Sequence, residues 1–142
     1  MPGSASGRTL LVDTSVAVAL AVADHEDHEA TVRAVGRRRL GLAGHAAFET
    51  FSVLTRLPPP ARRTPPTVAR LLAGAFPETR FLGARAAASL LAELETLGVA
   101  GGAVYDALVG AVAREHGLTL ATRDRRALDT YRALDAAVEL LA

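Results

Sequence analysis

Thr9-Leu10-Leu11-Val12-Asp13-Thr14-Ser15 places a short apolar run directly before an acid and two hydroxyls, and Val16 to Ala23 beyond it favours a helix. Such a run reads as a strand buried on both faces that hands over to a helix at Asp13. Near the other end, Leu118-Thr119-Leu120-Ala121 runs into Thr122-Arg123-Asp124, with a further helix to about Leu134. In open parallel sheets ligands gather outside the carboxyl ends of the strands. Two junctions of one kind therefore carry Asp13 and Asp124 to the same edge.

Working outward, helices are expected from about Glu26 to Arg37, Ala46 to Leu57, Thr67 to Ala75, Ala84 to Leu97 and Ala103 to His116. Strands are expected at Leu40 to Ala43 and Ala137 to Leu140, with a weak one at Arg80-Phe81-Leu82. Pro58-Pro59-Pro60 stops the helix before it, and Gly98 and Gly117 close theirs. Leu90, Leu91, Leu94 and Leu97 recur at helical spacing and read as core. Short strands alternating with helices argue for an α/β fold with a largely parallel sheet and right-handed crossovers. No internal repeat breaks the chain, so residues 1–142 read as a single domain, with Met1 to Gly7 as a flexible polar extension.

A chain of 142 residues, half of them hydrophobic, suits one core, since chains near that length bury about 70% of the surface they expose unfolded. Sixteen basic residues, all Arg, stand against 15 acids for a net charge of +1. That balance lacks the basic excess of a strong nucleic-acid binder, so any basic site is local. The absence of Cys excludes disulfides, thiolate metal sites and cysteine nucleophiles, and it fits a reducing compartment. No run approaches the ~18 apolar residues that cross a membrane, and the expected location is the cytoplasm.

Single acids have plain structural uses. Asp13 and Asp124 suit helix N-caps, Asp106 in a first turn complements the helix dipole, and Glu49 suits an exposed helix position. The helical wheels argue for more. On the third expected helix, Phe48, Phe51, Val53 and Leu54 spread over a wide apolar arc and leave a narrow stripe of Glu49, Ser52 and Arg56, as on a mostly buried helix. From Val104 to Val112 the only charge is Asp106, with Gly110 and Ala113 beneath it. An isolated carboxylate there is costly unless paired or metal-bound, and small neighbours leave room for close approach. Acids gathered at one strand edge, with no Lys to neutralise them, suit a hard divalent cation such as Mg²⁺ or Mn²⁺, which can activate water for attack on phosphate.

The segments Leu11-Val12-Asp13-Thr14-Ser15, Phe48-Glu49-Thr50-Phe51-Ser52-Val53-Leu54-Thr55-Arg56, Tyr105-Asp106-Ala107-Leu108 and Leu120-Ala121-Thr122-Arg123-Asp124-Arg125-Arg126-Ala127 resemble, in order and spacing, PIN domains and specifically the VapC toxins of toxin-antitoxin pairs. The resemblance implies a three-layer α/β/α sandwich around a central parallel sheet. It further implies an RNA-cleaving enzyme dependent on Mg²⁺ or Mn²⁺, inhibition by a VapB-type antitoxin, and a homodimer. Asp13, Glu49 and Asp106 match the motif positions most closely, and Asp124 is the fourth, which in relatives often acts through water or a second metal. Thr14, Ser15 and Thr122 fall where hydroxyls orient waters or phosphate.

Other signals carry less. Asp24-His25-Glu26-Asp27-His28-Glu29 lacks the His pair of a metalloprotease helix and reads as a solvated loop opening a helix. Arg37-Arg38-Arg39 and Arg62-Arg63 read as solvated surface or phosphate grips, and His45 and His116 as helix-end residues. A phospho-receiver domain needs a strand-end Lys that is missing here. A haloacid-dehalogenase-type phosphatase needs a second Asp where Ser15 stands, and no GxGxxG or Walker motif follows a strand. The rival is a PIN-like module that binds RNA or protein without cutting.

Overall fold

The computed structural model describes residues 8–142, and the expected flexible extension, Met1 to Gly7, lies outside them. Strand β1 (Thr9–Val12) has parallel neighbours on both sides. One is β2 (Arg39–Leu42), and the other is β3 (Thr119–Thr122), whose far edge carries β4 (Val138–Leu140). The order β2-β1-β3-β4 places the two acid-bearing strand ends side by side at the centre of the sheet.

The pleat sorts the core into two layers. Leu11 and Leu120 face one cluster with Val109, Val112, Ala127 and Tyr131. Leu10, Val12 and Ala121 face the other, with Val16, Ala17, Val35 and Phe76. The second layer is built by α1 (Thr14–Ala21), α2 (His28–Val35) and α4 (Pro65–Ala75); the first is built by α6 (Ala103–His116) and α7 (Leu128–Ala133). Helix α3 (His45–Thr55) packs on α1, α4 and α6, and α5 (Ala84–Leu97) packs on α6. The result is the expected α/β/α sandwich with an all-parallel sheet. Among the described residues no helix is long and apolar enough to cross a membrane.

The expected strand at Arg80-Phe81-Leu82 is absent, and only an isolated bridge joins Ala43 to Arg80. Residues 78–80 do run along the free edge of β2, with Glu78 N donating to Leu40 O and Arg80 N to Leu42 O. Between them, however, Leu42 N donates to the Thr79 side-chain oxygen, so a hydroxyl replaces a backbone carbonyl and the ladder is broken. The helix expected after Asp124 begins as a single 3-10 turn, Arg125–Ala127.

Two readings of helix faces are corrected. Helix α3 is not mostly buried: only Ala46, Thr50 and Leu54 are, and Phe48 is 66% exposed. The leucine stripe of α5 is fully buried at Leu90, with Leu94 and Leu97 partly buried against the same cluster, but Leu91 is 73% exposed. In both cases the helix lies at the rim of the sandwich, where one turn-wide stripe suffices for packing.

Candidate active site

Asp13 ends β1 and caps α1, accepting from Val16 N at 3.3 Å. Its own backbone N–H donates to Ala121 O, which ties the turn to β3. The side chain is buried and takes four donors: Ser15 Oγ (2.6 Å) and Val16 N on Oδ1, Thr122 Oγ1 (2.5 Å) and Tyr131 Oη (2.8 Å) on Oδ2. A buried carboxylate is tolerable only with such saturation.

Glu49, exposed on α3, accepts from Thr14 Oγ1 at 2.6 Å, a bond joining the first turn of α1 to α3. Asp124 caps the 3-10 turn after β3 and accepts from Arg126 N at 3.0 Å. Its backbone N–H donates to Thr122 Oγ1, the same hydroxyl that holds Asp13. Asp106 sits in the first turn of α6. Burial first, then repulsion from Asp124, Asp13 and Glu49, pushes its carboxyl above the ordinary range, and Arg126 opposes the shift.

All four acids line one cavity of about 340 Å³, together with Thr14, Ser15, Tyr105, Val109 and Tyr131. Four segments spread from residue 13 to residue 124 therefore meet in one place. The four carboxylates on the lining are hard oxygen donors, which suits a divalent cation, and the Asp106 carboxyl is raised by burial first and by the neighbouring acids second. The acids stand on the walls of the cavity; among the described residues no three His, Asp or Glu groups are already drawn together as a coordination sphere. Ligation requires the side chains to turn inward. The hydroxyls of Thr14, Ser15 and Thr122 are engaged with carboxylates.

Tyr131 was missed in the sequence pattern. It reaches Asp13 from 118 residues away, and burial followed by the Asp13 charge holds its phenol far above the ordinary value, so it remains a donor. The chain has only two tyrosines, and both line the cavity, a rarity that offered a signal. Gly110 leaves room, as its place beneath Asp106 suggested, but the space is filled by Tyr131: a Cβ there would stand 3.3 Å from the Tyr131 ring.

The other signals resolve into structural roles. His25 accepts from Asp27 N, and the His28 ring bonds to Ala19 O. Asp27 pairs with Arg123 at 2.7 Å, so this loop braces the residue next to Asp124. Arg38 pairs with Glu139, Arg39 with Glu78, and Arg62 with Leu57 O. His45 stacks on Tyr105 at 4.9 Å, and the His116 ring bonds to Phe81 O.

The family model described as PIN domain matches residues 10–133. Ribonuclease VapC27 of Mycobacterium tuberculosis is 47% identical over 133 residues, covering 94% of this chain and 97% of that protein. Ribonuclease VapC40 of the same species is 48% identical over 131 residues, covering 91% and 96%. Among solved structures, VapBC2 from Rickettsia felis bound to a DNA fragment from their promoter has the same fold, with a TM-score of 0.66 at 16% identity over 94% of this chain and 99% of that one.

Proposed function

The chain belongs to the PIN domain family, and from that premise we propose that it is a metal-dependent endoribonuclease, the toxin of a VapBC-type toxin-antitoxin pair. The observation that carries the reading is the convergence of Asp13, Glu49, Asp106 and Asp124 on one cavity. Relatives named ribonuclease VapC, matching nearly end to end at 47% and 48% identity, support RNA as the substrate.

The four acids would hold Mg²⁺ or Mn²⁺. When bound, such an ion supplies neutralisation of developing phosphate charge and a lowered pKa for a water molecule. The chain supplies the rest. Thr14 orients Glu49, while Ser15, Thr122 and Tyr131 orient Asp13. Arg126, exposed and paired with Asp124 at 3.4 Å, offers a guanidinium beside the acids to a phosphate backbone. Residues 1–142 act as one domain in this reading, within a homodimer, and a VapB-type antitoxin inhibits by sending a basic side chain toward the acids. A carboxylate cluster that only Arg126 partly offsets is a natural target for bidentate Arg.

The test is cleavage of total RNA by the purified protein in Mg²⁺, in Mn²⁺ and in chelator, with Glu49→Gln alongside. Cleavage by the native chain in either metal, abolished by chelator and reduced by orders of magnitude in the variant, is expected. Binding of RNA with no cleavage under any condition would replace the enzyme with a silent binding module.

A further inference from the structure

Resting on the metal site proposed above, we infer that Tyr131 is a positioning residue. Its hydroxyl, with that of Thr122, anchors Oδ2 of Asp13 and leaves Oδ1 as the oxygen that turns to a divalent cation.

A carboxylate offers about four lone-pair directions, and Asp13 has four donors, two on each oxygen. A cation can gain this ligand only by displacing one of them, and the four are unequal. Tyr131 is 2% exposed, and its ring is seated against Gly110 of α6, where an added Cβ would stand a tight 3.3 Å away. Thr122 is fully buried on β3. Thr122 has no solvent to turn to, and Tyr131 meets the cavity with only 2% of its surface, so displacing either hydroxyl leaves a donor that solvent poorly satisfies. On Oδ1, Val16 N is a long 3.3 Å away, and Ser15 is half-buried and lines the cavity, so its O–H can turn to solvent while its oxygen goes on accepting from Arg123 N at 2.9 Å. The donors on Oδ1 yield first. Oδ2 is thereby the fixed point about which the carboxylate presents its other oxygen.

Such partners of a ligand are worth about 10- to 100-fold in metal affinity. Tyr131→Phe keeps the ring against Gly110 and removes only the hydroxyl. Mn²⁺ added to the metal-free protein, with free Mn²⁺ read by electron paramagnetic resonance, should show a dissociation constant weakened by about 10-fold or more. Gly110→Ala keeps the hydroxyl but makes the ring give by about a few tenths of an ångström, and it should weaken Mn²⁺ in the same direction by less than Tyr131→Phe does. If the hydroxyl only supports the core, Tyr131→Phe will melt at a lower temperature with Mn²⁺ affinity within twofold of the native chain. That result, or tighter binding, overturns the inference while leaving the metal site standing. A native chain that binds no Mn²⁺ overturns both.

Discussion

Asp106 separates a metal ligand from a dipole-complementing acid, because the two roles predict opposite changes in stability. Its carboxyl is held up by burial and by three neighbouring acids, so in metal-free protein its charge opposes folding. Asp106→Asn removes that charge and should stabilise the metal-free fold by a few tenths to about 1 kcal/mol once solvent screening is allowed for. The gain should depend on pH. The folded-state pKa lies above the unfolded 3.8, so as pH falls the native state takes up its proton before the unfolded state does. The Asp106 contribution to native stability thus rises as pH drops through the raised value toward 3.8, and the advantage of the variant closes over the same window. Thermal melts in chelator from pH 7 downward check this. A residue that merely complements the helix dipole would instead lose a few tenths of a kcal/mol on neutralisation. The same substitution should slow RNA cleavage by orders of magnitude, so stability and activity move apart.

Among the elements, β2 depends on having no side chain at Gly41, where a Cβ would stand 2.1 Å from Glu78 O. The contact is backbone on backbone, and no side chain can move aside. Gly41→Ala should therefore cost more than about 3 kcal/mol or prevent folding, at the upper end of overpacking effects, as measured by urea denaturation. Gly74→Ala on α4, where nothing lies within 4 Å, should be neutral or slightly stabilising. The segment crossing Gly41, Glu78-Thr79, leads directly into the expected strand at Arg80-Phe81-Leu82. Its apolar character was legible, but the intrusion of the Thr79 hydroxyl into the ladder was not, since that depends on where the edge of β2 falls in space. Helix boundaries at Gly98 and Gly117 were legible because both glycines adopt the left-handed conformation that ends a helix. The exposed sides of α3 and α5 were misread because the wheel records where apolar residues lie, not whether a neighbour covers them.

At the scale of the whole molecule, the sheet order does the work of assembly. With β1 and β3 adjacent and parallel, Asp13 and Asp124 emerge together, and α3 and α6 bring Glu49 and Asp106 across the same edge. The placement of Asp13 and Asp124 could be read from apolar runs ending in acids, because strand direction alone decides to which edge such residues go. Glu49 and Asp106 came instead from helical wheels and the family resemblance, and the wheel of α3 overstated its burial. Tyr131 could not be read, since its contact with Asp13 depends on how closely α7 approaches α6 over Gly110. The central claim is that four acids far apart in sequence make one cation site, and binding only the folded state couples that site to global stability by about 2.7 kcal/mol at 100 times the dissociation constant. The most direct measurement is the rise in melting temperature from chelator to saturating Mn²⁺ for the native chain and for Asp13→Asn, Glu49→Gln, Asp106→Asn and Asp124→Asn. The account predicts a clear rise for the native chain, much reduced in each variant and most in Asp13→Asn and Asp106→Asn. An equal rise in all five proteins would contradict it.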